Sequence, residues 1–352
     1  MSDRAFTKIL GATAYDAAPL LPLPACGEEV GVRHRAVAFA CGVLAALMLV
    51  VAAQTAAAED TIKVALGQRG EWETAASELG QDAGMFRKRG LALELHYTNG
   101  GAETLQAVAS GSVDIGVGLA TTTVMAAYVK GGPLRVIGNA GAGSGEYWYV
   151  PADSPIKTVA DAGGRTIGYS TTGSLSHLIV LSLIKANGLF ARAVPTGSAD
   201  AALARVMSGQ LDVGWASPPF GLDAVSDGKI RIIARGNDLP EFRHETIRLL
   251  VANAGFLERR KDVAARYVQG YRDALEWMYS DPAALDAYAE FAKVSPANAR
   301  EVRDVYPRDH LAVDFISGVD AVMTDGVAFG TIAEPLTKQQ LGVLFQVPAP
   351  IK

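Results

Sequence analysis

One phrase of this sequence is written twice, and the repetition limits the possible folds more than any other feature. The run Ala107-Val108-Ala109-Ser110-Gly111-Ser112-Val113-Asp114-Ile115-Gly116-Val117 returns as Ala204-Arg205-Val206-Met207-Ser208-Gly209-Gln210-Leu211-Asp212-Val213-Gly214. Aligned on Ser110/Ser208, Gly111/Gly209, Asp114/Asp212 and Gly116/Gly214, the copies stand 98 residues apart. Each reads as the end of a helix, a glycine that stops it, and the start of a buried strand. Two related α/β lobes in one chain imply a cleft between them, and such clefts hold ligands.

The rest of the chain alternates in the same way. Ile62, Val64 and Leu66 mark a first strand; Leu91 to Tyr97, Val113 to Val117, Leu134 to Asn139, Thr166 to Tyr169, Asp212 to Trp215 and Ile230 to Ala234 read as further strands separated by helical or turn segments. Short strands alternating with helices predict an α/β fold with mixed, mainly parallel sheets. The stretch Pro151-Ala152-Asp153-Ser154-Pro155 reads as a crossover, and Arg248 to Val251 as the return path. The expected division is therefore a first lobe beginning at 59–150, a second lobe at 151–250, and a return to the first lobe with C-terminal helices at 251–352. In that tail Val263, Tyr267, Tyr271, Ala274, Leu275 and Met278 share one helical face. The tail is expected to pack on the first lobe and to hold no functional residue.

Residues 1–58 read as a leader. Arg33, His34 and Arg35 form a positive flank, Ala36 to Ala53 an apolar run, and Ala56-Ala57-Ala58 a small-residue cleavage site. The run approaches membrane-spanning length, but its alanine content and the small-residue site favour a cleaved signal peptide over an anchor. Leu23-Pro24-Ala25-Cys26 lacks a preceding apolar segment, so a lipid anchor is not expected. Cys26 and Cys41 are the only cysteines, and both fall in the leader. A mature chain without cysteine has no disulfide, thiol nucleophile or thiolate metal site; with export, this points to a bacterial periplasm.

The formal charge is −5 and basic runs such as Arg259-Arg260-Lys261 are short, so nothing supplies a stripe for nucleic-acid phosphates. His96, His177, His244 and His310 lack metal-ligand spacing. No Gly-x-Ser-x-Gly elbow or carboxylate pair appears. No catalytic residue, metal or cofactor is expected.

Binding residues are sought where strands end, because open parallel sheets hold ligands beyond the carboxyl ends of their strands. Ser170-Thr171-Thr172-Gly173-Ser174 follows one strand and opens a helix, where free N–H groups attract anions. Thr172 and Ser174 add hydroxyls there and Gly173 permits close approach, although a Thr or Ser at such a place also serves as an ordinary helix cap. Thr121 and Thr122 follow the strand of the first copy, and Trp215 and Ser217 that of the second. Gln68 and Trp72 lie after the first strand, and Gly101 in the turn after the second. A tryptophan at such a place is also a common core residue. Asp114 and Asp212 stand at the opposite ends of their strands and are expected to be structural.

Taken together, Gly100-Gly101-Ala102-Glu103-Thr104-Leu105-Gln106-Ala107, the first copy of the repeat, Gly168-Tyr169-Ser170-Thr171-Thr172-Gly173-Ser174 and Ser208-Gly209-Gln210-Leu211-Asp212-Val213-Gly214-Trp215 closely resemble the periplasmic substrate-binding proteins of ABC importers. The subgroup resembled includes aliphatic-sulfonate, taurine, nitrate and thiamine-precursor binders. The resemblance runs from about Thr61 to the low 250s and more weakly beyond. It implies the type II periplasmic binding fold: two Rossmann-like lobes joined by two hinge segments, closing on a solute. It also implies that Gln68, the Asn99–Glu103 turn, Thr121, Thr122, Thr172, Gly173, Ser174, Trp215 and Ser217 line the cleft. The implied function is a monomeric receptor for a small anionic, sulfonate-like solute, delivered to an inner-membrane permease. An enzyme on the same scaffold and a sensor-only receptor are the alternatives. The cysteine-rich motif of enzymes in the pyrimidine-precursor branch is absent here, so that chemistry is not expected.

Overall fold

A computed structural model describes residues 59–351; the expected leader and signal peptide lie outside them. Among the described residues no helix is long and apolar enough to cross a membrane. Ten strands alternate with helices: β1 (Asp60–Leu66), β2 (Leu91–Tyr97), β3 (Ile115–Ala120), β4 (Leu134–Ala142), β5 (Tyr147–Pro151), β6 (Thr166–Tyr169), β7 (Arg192–Pro195), β8 (Gly214–Ala216), β9 (Ile230–Arg235) and β10 (Thr246–Asn253).

The first sheet runs β2-β1-β3-β10-β4. Its β1 is parallel to β2 and β3, and β10 is antiparallel to β3 and β4. In the second half β8-β5-β9 form an antiparallel set and β6-β7 a parallel pair. Val213 joins them: it bridges Ile167 in parallel, receives a bond from the Gly168 N–H (2.8 Å) and donates to the Thr166 carbonyl (3.0 Å). The second half therefore reads β7-β6-β8-β5-β9, strand for strand the order of the first, as the repeat predicts.

The repeated phrase folds the same way twice. The helix Gly101–Ser110 is capped by Gly111, φ 74°, and Ala199–Met207 by Ser208, with Gly209, φ 73°, next. The N–H of Ser112 bonds the Ala107 carbonyl (3.1 Å), and that of Gln210 the Arg205 carbonyl (2.8 Å). Then the two aspartates act. Asp114 accepts from the Lys63 N–H (2.9 Å), while Asp212 accepts from the N–H (2.9 Å) and hydroxyl (2.7 Å) of Thr166. Each ties the start of its strand to the neighbouring one, the structural role expected. The glycine that follows is a packing requirement in both copies. A Cβ on Gly116 would stand 2.7 Å from Val108, and one on Gly214 2.4 Å from the ring of Tyr149.

Strand pairing shifts the expected divisions. A boundary after 150 would cut β5, which pairs wholly in the second sheet set, and one after 250 would cut β10, which pairs wholly in the first. Pro151 ends β5 and residues 152–155 follow it rather than lead into it, so the proline-rich stretch is not the crossover. Prolines mark a surface turn there; the chain passes between the sheets nearer Gly143–Gly145 and again between β9 and β10.

The tail helix Lys261–Ser280 buries the expected face, with Val263, Tyr267, Tyr271, Ala274, Leu275 and Met278 all inside. It lies against the helix Ala76–Asp82, where glycines allow contact: a Cβ on Gly80 would be 2.6 Å from Ala274. The tail thus packs on the first half, as expected.

Candidate functional site

The C-terminal ends of β1, β2, β3, β6 and β8 converge on one pocket, with about 520 Å³ of space free of protein atoms, its open mouth included. The first half contributes Gln68, Glu71, Gly101, Val117 and Arg248; the second contributes Glu146, Ser170, Ser174 and Trp215. Val117 and Trp215 occupy the same position of the repeat, facing one cavity from its two sides. A second pocket, with about 380 Å³ of space free of protein atoms when its open mouth is included, adjoins it, and Ala120 and Leu175 belong to the walls of both.

Hydrogen bonds cross between the halves. Gln68 Oε1 accepts from the Ala199 N–H at 3.2 Å, and the Thr123 hydroxyl donates to the Gly173 carbonyl at 2.6 Å. Gly100 also makes a close approach. A Cβ there would sit 3.0 Å from Thr171 Oγ1, and its φ of 155° lies in a region that side chains disfavour.

Of the ten expected site residues, Gln68, Gly101, Ser174 and Trp215 line the main pocket, and Thr121 and Thr122 the adjoining one. The others go elsewhere. Trp72 is fully buried: its N–H donates to Tyr279 (2.8 Å), and Tyr288 meets its ring edge-on at 4.7 Å. It is a core tryptophan that fixes the loop carrying Gln68 and Glu71. Ser217 is buried near the Tyr306 hydroxyl, at 3.4 Å. Thr172 is exposed, its hydroxyl 3.2 Å from that of Tyr169. The Thr121 hydroxyl faces the sheet and donates to the Thr246 carbonyl (2.7 Å).

The helix start expected to bind an anion is occupied by its own side chains. The Gly173 N–H donates to His177 Nδ1 (3.1 Å), and Ser174 Oγ caps the helix Leu175–Ala186 by accepting from the His177 N–H. The hydroxyls of Ser170, Ser174 and Ser176 bond one another at 2.7–3.0 Å. Burial pushes His177 below its ordinary pKa, so the ring brings no positive charge to this corner.

The charged group of the pocket was not foreseen. Arg248, on β10, is buried with its guanidinium 3.1 Å from a carboxylate oxygen of Glu73 and 3.1 Å from one of Glu146. These are ion pairs by distance, without hydrogen-bond alignment at Nη2 or at either Glu73 oxygen. Ser144 donates to the other Glu146 oxygen (2.9 Å). Glu71 completes the set: it is 8% exposed, lines the pocket, and its carboxyl has no hydrogen bond or ion pair among the described residues. Burial, reinforced by Glu73, pushes its pKa up to about 8, so it is mostly protonated at neutral pH. Burial also raises Glu146. The tail, expected to hold nothing, contributes Val322, Asp325, Gly326 and Phe329 to the second pocket.

This arrangement, two matching α/β halves with a pocket between their strand ends, defines the periplasmic-binding-protein fold. Solved structures share it. The alkanesulfonate-binding protein SsuA from Xanthomonas axonopodis pv. citri, bound to MOPS, is 20% identical with a TM-score of 0.65, covering 78% of this chain and 92% of that one. The periplasmic nitrate-binding protein NrtA from Synechocystis PCC 6803 is 12% identical with a TM-score of 0.62, covering 81% and 84%. The desulfurization enzyme DSZB is 17% identical with a TM-score of 0.60, covering 83% and 96%. No curated protein matches the sequence. The family model described as NMT1/THI5 like matches residues 75–285, more than half of the chain. The chain belongs to that family.

Proposed function

We propose that this protein is a periplasmic receptor that encloses one small organic solute between two lobes and delivers it to an inner-membrane ABC permease. The observation that carries the reading is the pocket itself, walled jointly by strand ends of both halves and crossed by the Gln68–Ala199 bond. A solute touching both walls favours the closed state by its differential affinity for it. Sulfonate- and nitrate-binding proteins on this fold support a transport role. The sulfonate-like solute implied by the sequence has less support, because the donors of the Ser174 helix start bond one another.

DSZB shows that an enzyme can use the fold. Against catalysis here, His177 Nδ1 already accepts the Gly173 N–H, which leaves the serine cluster without a base at that nitrogen. The test is release of the solute that accompanies the purified protein, by denaturation and mass spectrometry. One dominant, chemically unaltered compound is expected, and deleting the gene should abolish its uptake. A protein that carries nothing and gains no thermal stability from sulfonates, nitrate or pyrimidines refutes the reading; conversion of the compound would make it an enzyme.

A further inference from the structure

The two adjoining pockets differ in chemistry, and their walls indicate what kind of solute fits both. We propose that the solute carries a cationic nitrogen head, of the amine or amidinium class, held against Glu71 and Glu146, with an apolar body reaching past Ala120 and Leu175 into the second pocket. This rests on the receptor reading above and specifies its ligand.

Charge points to the head. The ionisable acids and bases lining the two pockets are Glu71, Glu146, Glu241 and Asp325 against Arg248 alone. Arg248 already stands between Glu73 and Glu146, so its charge is answered twice before a ligand arrives. Even with Glu71 protonated, Glu73 and Glu146 outnumber Arg248, so an anion would enter a wall of net negative sign, with the serine hydroxyls beside it bonded to one another. Glu71 supplies the specific contact. A carboxyl that is nine-tenths buried, lines the pocket and has no partner in the chain is free to accept from the N–H groups of a cation. The charged groups acting on it are Glu73, Glu146 and Arg248, two acids and one base, so a second cation improves the local balance.

The body follows from the second pocket. Leu175, Leu178, Phe242, Ile247, Val322 and Phe329 make most of its wall, with Glu241 and Asp325 also lining it, and Ala120 and Leu175 belong to the acidic pocket as well. Thr122, which also lines the second pocket, has a buried hydroxyl without a hydrogen-bond partner among the described residues.

The test is calorimetric titration of the protein with butylamine, hexylamine, benzamidine and hexanesulfonate at one ionic strength. Hexylamine and benzamidine are expected to bind and hexanesulfonate to give no heat. Hexylamine should bind about tenfold more tightly than butylamine, because two further methylenes are buried. Glu71→Gln should weaken hexylamine at least about tenfold, and Leu178→Trp, which fills the second pocket, should erase the hexyl-over-butyl preference. Should one variant fail to fold cooperatively, the other decides. Binding of the sulfonate with silent amines overturns the head; equal affinity for butylamine and hexylamine overturns the body. Silence from all four probes overturns the whole proposal, and the receptor reading survives that result only if a solute still accompanies the purified protein.

Discussion

The two copies of the repeat keep the same scaffold and differ at their tips. At the start of β3 and of the run entering β8, Asp114 and Asp212 make equivalent clamps, and Gly116 and Gly214 each leave room for a neighbouring side chain. Beyond the strand ends the likeness stops. The first half places Glu71, Glu73 and Arg248 at or beside the pocket, whereas the second offers one carboxylate, Glu146, with hydroxyls and the tryptophan that replaces Val117. Backbone geometry is shared because both copies must cap a helix and enter a sheet. Pocket chemistry is not shared, because the residues beyond the strand ends carry no such common requirement.

Removing the charge that only one half possesses should have the largest effect. Arg248→Met leaves Glu73 and Glu146 buried without their counter-ion, and denaturant unfolding should show a loss of about 3–5 kcal/mol. A loss as small as that of a surface substitution would mean the asymmetry of charge is incidental. Next comes pH. The folded chain holds the Glu71 proton more tightly than the unfolded chain does, with a pKa raised from 4.5 to about 8. Its stabilising contribution is therefore full below the ordinary carboxylate range and lost as pH rises through about 8. The empty protein should lose melting temperature between pH 5 and about 9, and Glu71→Gln should flatten that decline; an unchanged slope would place the titration elsewhere.

The shared parts should respond alike, and less. Gly214→Ala and Gly116→Ala should each cost about 1–3 kcal/mol by overpacking. The second-half variant should be the worse, since its neighbour is a buried tyrosine ring rather than the end of a valine. Paired melting curves would check the order. Smallest are the clamps. Asp114→Ala and Asp212→Ala should each cost about 1 kcal/mol in chemical unfolding, Asp212 more because it also accepts from the Thr166 hydroxyl. Solute affinity should stay constant in both, and a change there would deny that the clamps are remote from the pocket.

Much of the architecture was legible because helix stops and strand starts are local. Gly111 and Gly209, and the apolar runs after the aspartates, declare themselves within a few residues. The sheet boundaries were harder, since β5 and β10 are assigned by their partners and not by their own composition. Among the site residues, those placed by being next to a strand end (Gln68, Gly101, Ser174, Trp215) reached the pocket. Trp72 did not, because whether an aromatic faces a cavity or a core depends on Tyr279 and Tyr288, some 200 residues away along the chain. The ionic group was missed for the same reason. Glu71, Glu146 and Arg248 come from three separate stretches, and nothing near any of them announces the others. The contribution of Val322 and Phe329 was equally invisible in a tail that reads only as amphipathic helix.

The aspartate clamps sit at the opposite ends of their strands from the pocket. What holds the sheets together and what meets the solute are thus written at separate addresses on the same short segments. A lineage built this way can exchange its cargo by rewriting loop tips while its foundations go untouched, and proteins of one framework can then come to serve very different molecules without first having to be rebuilt.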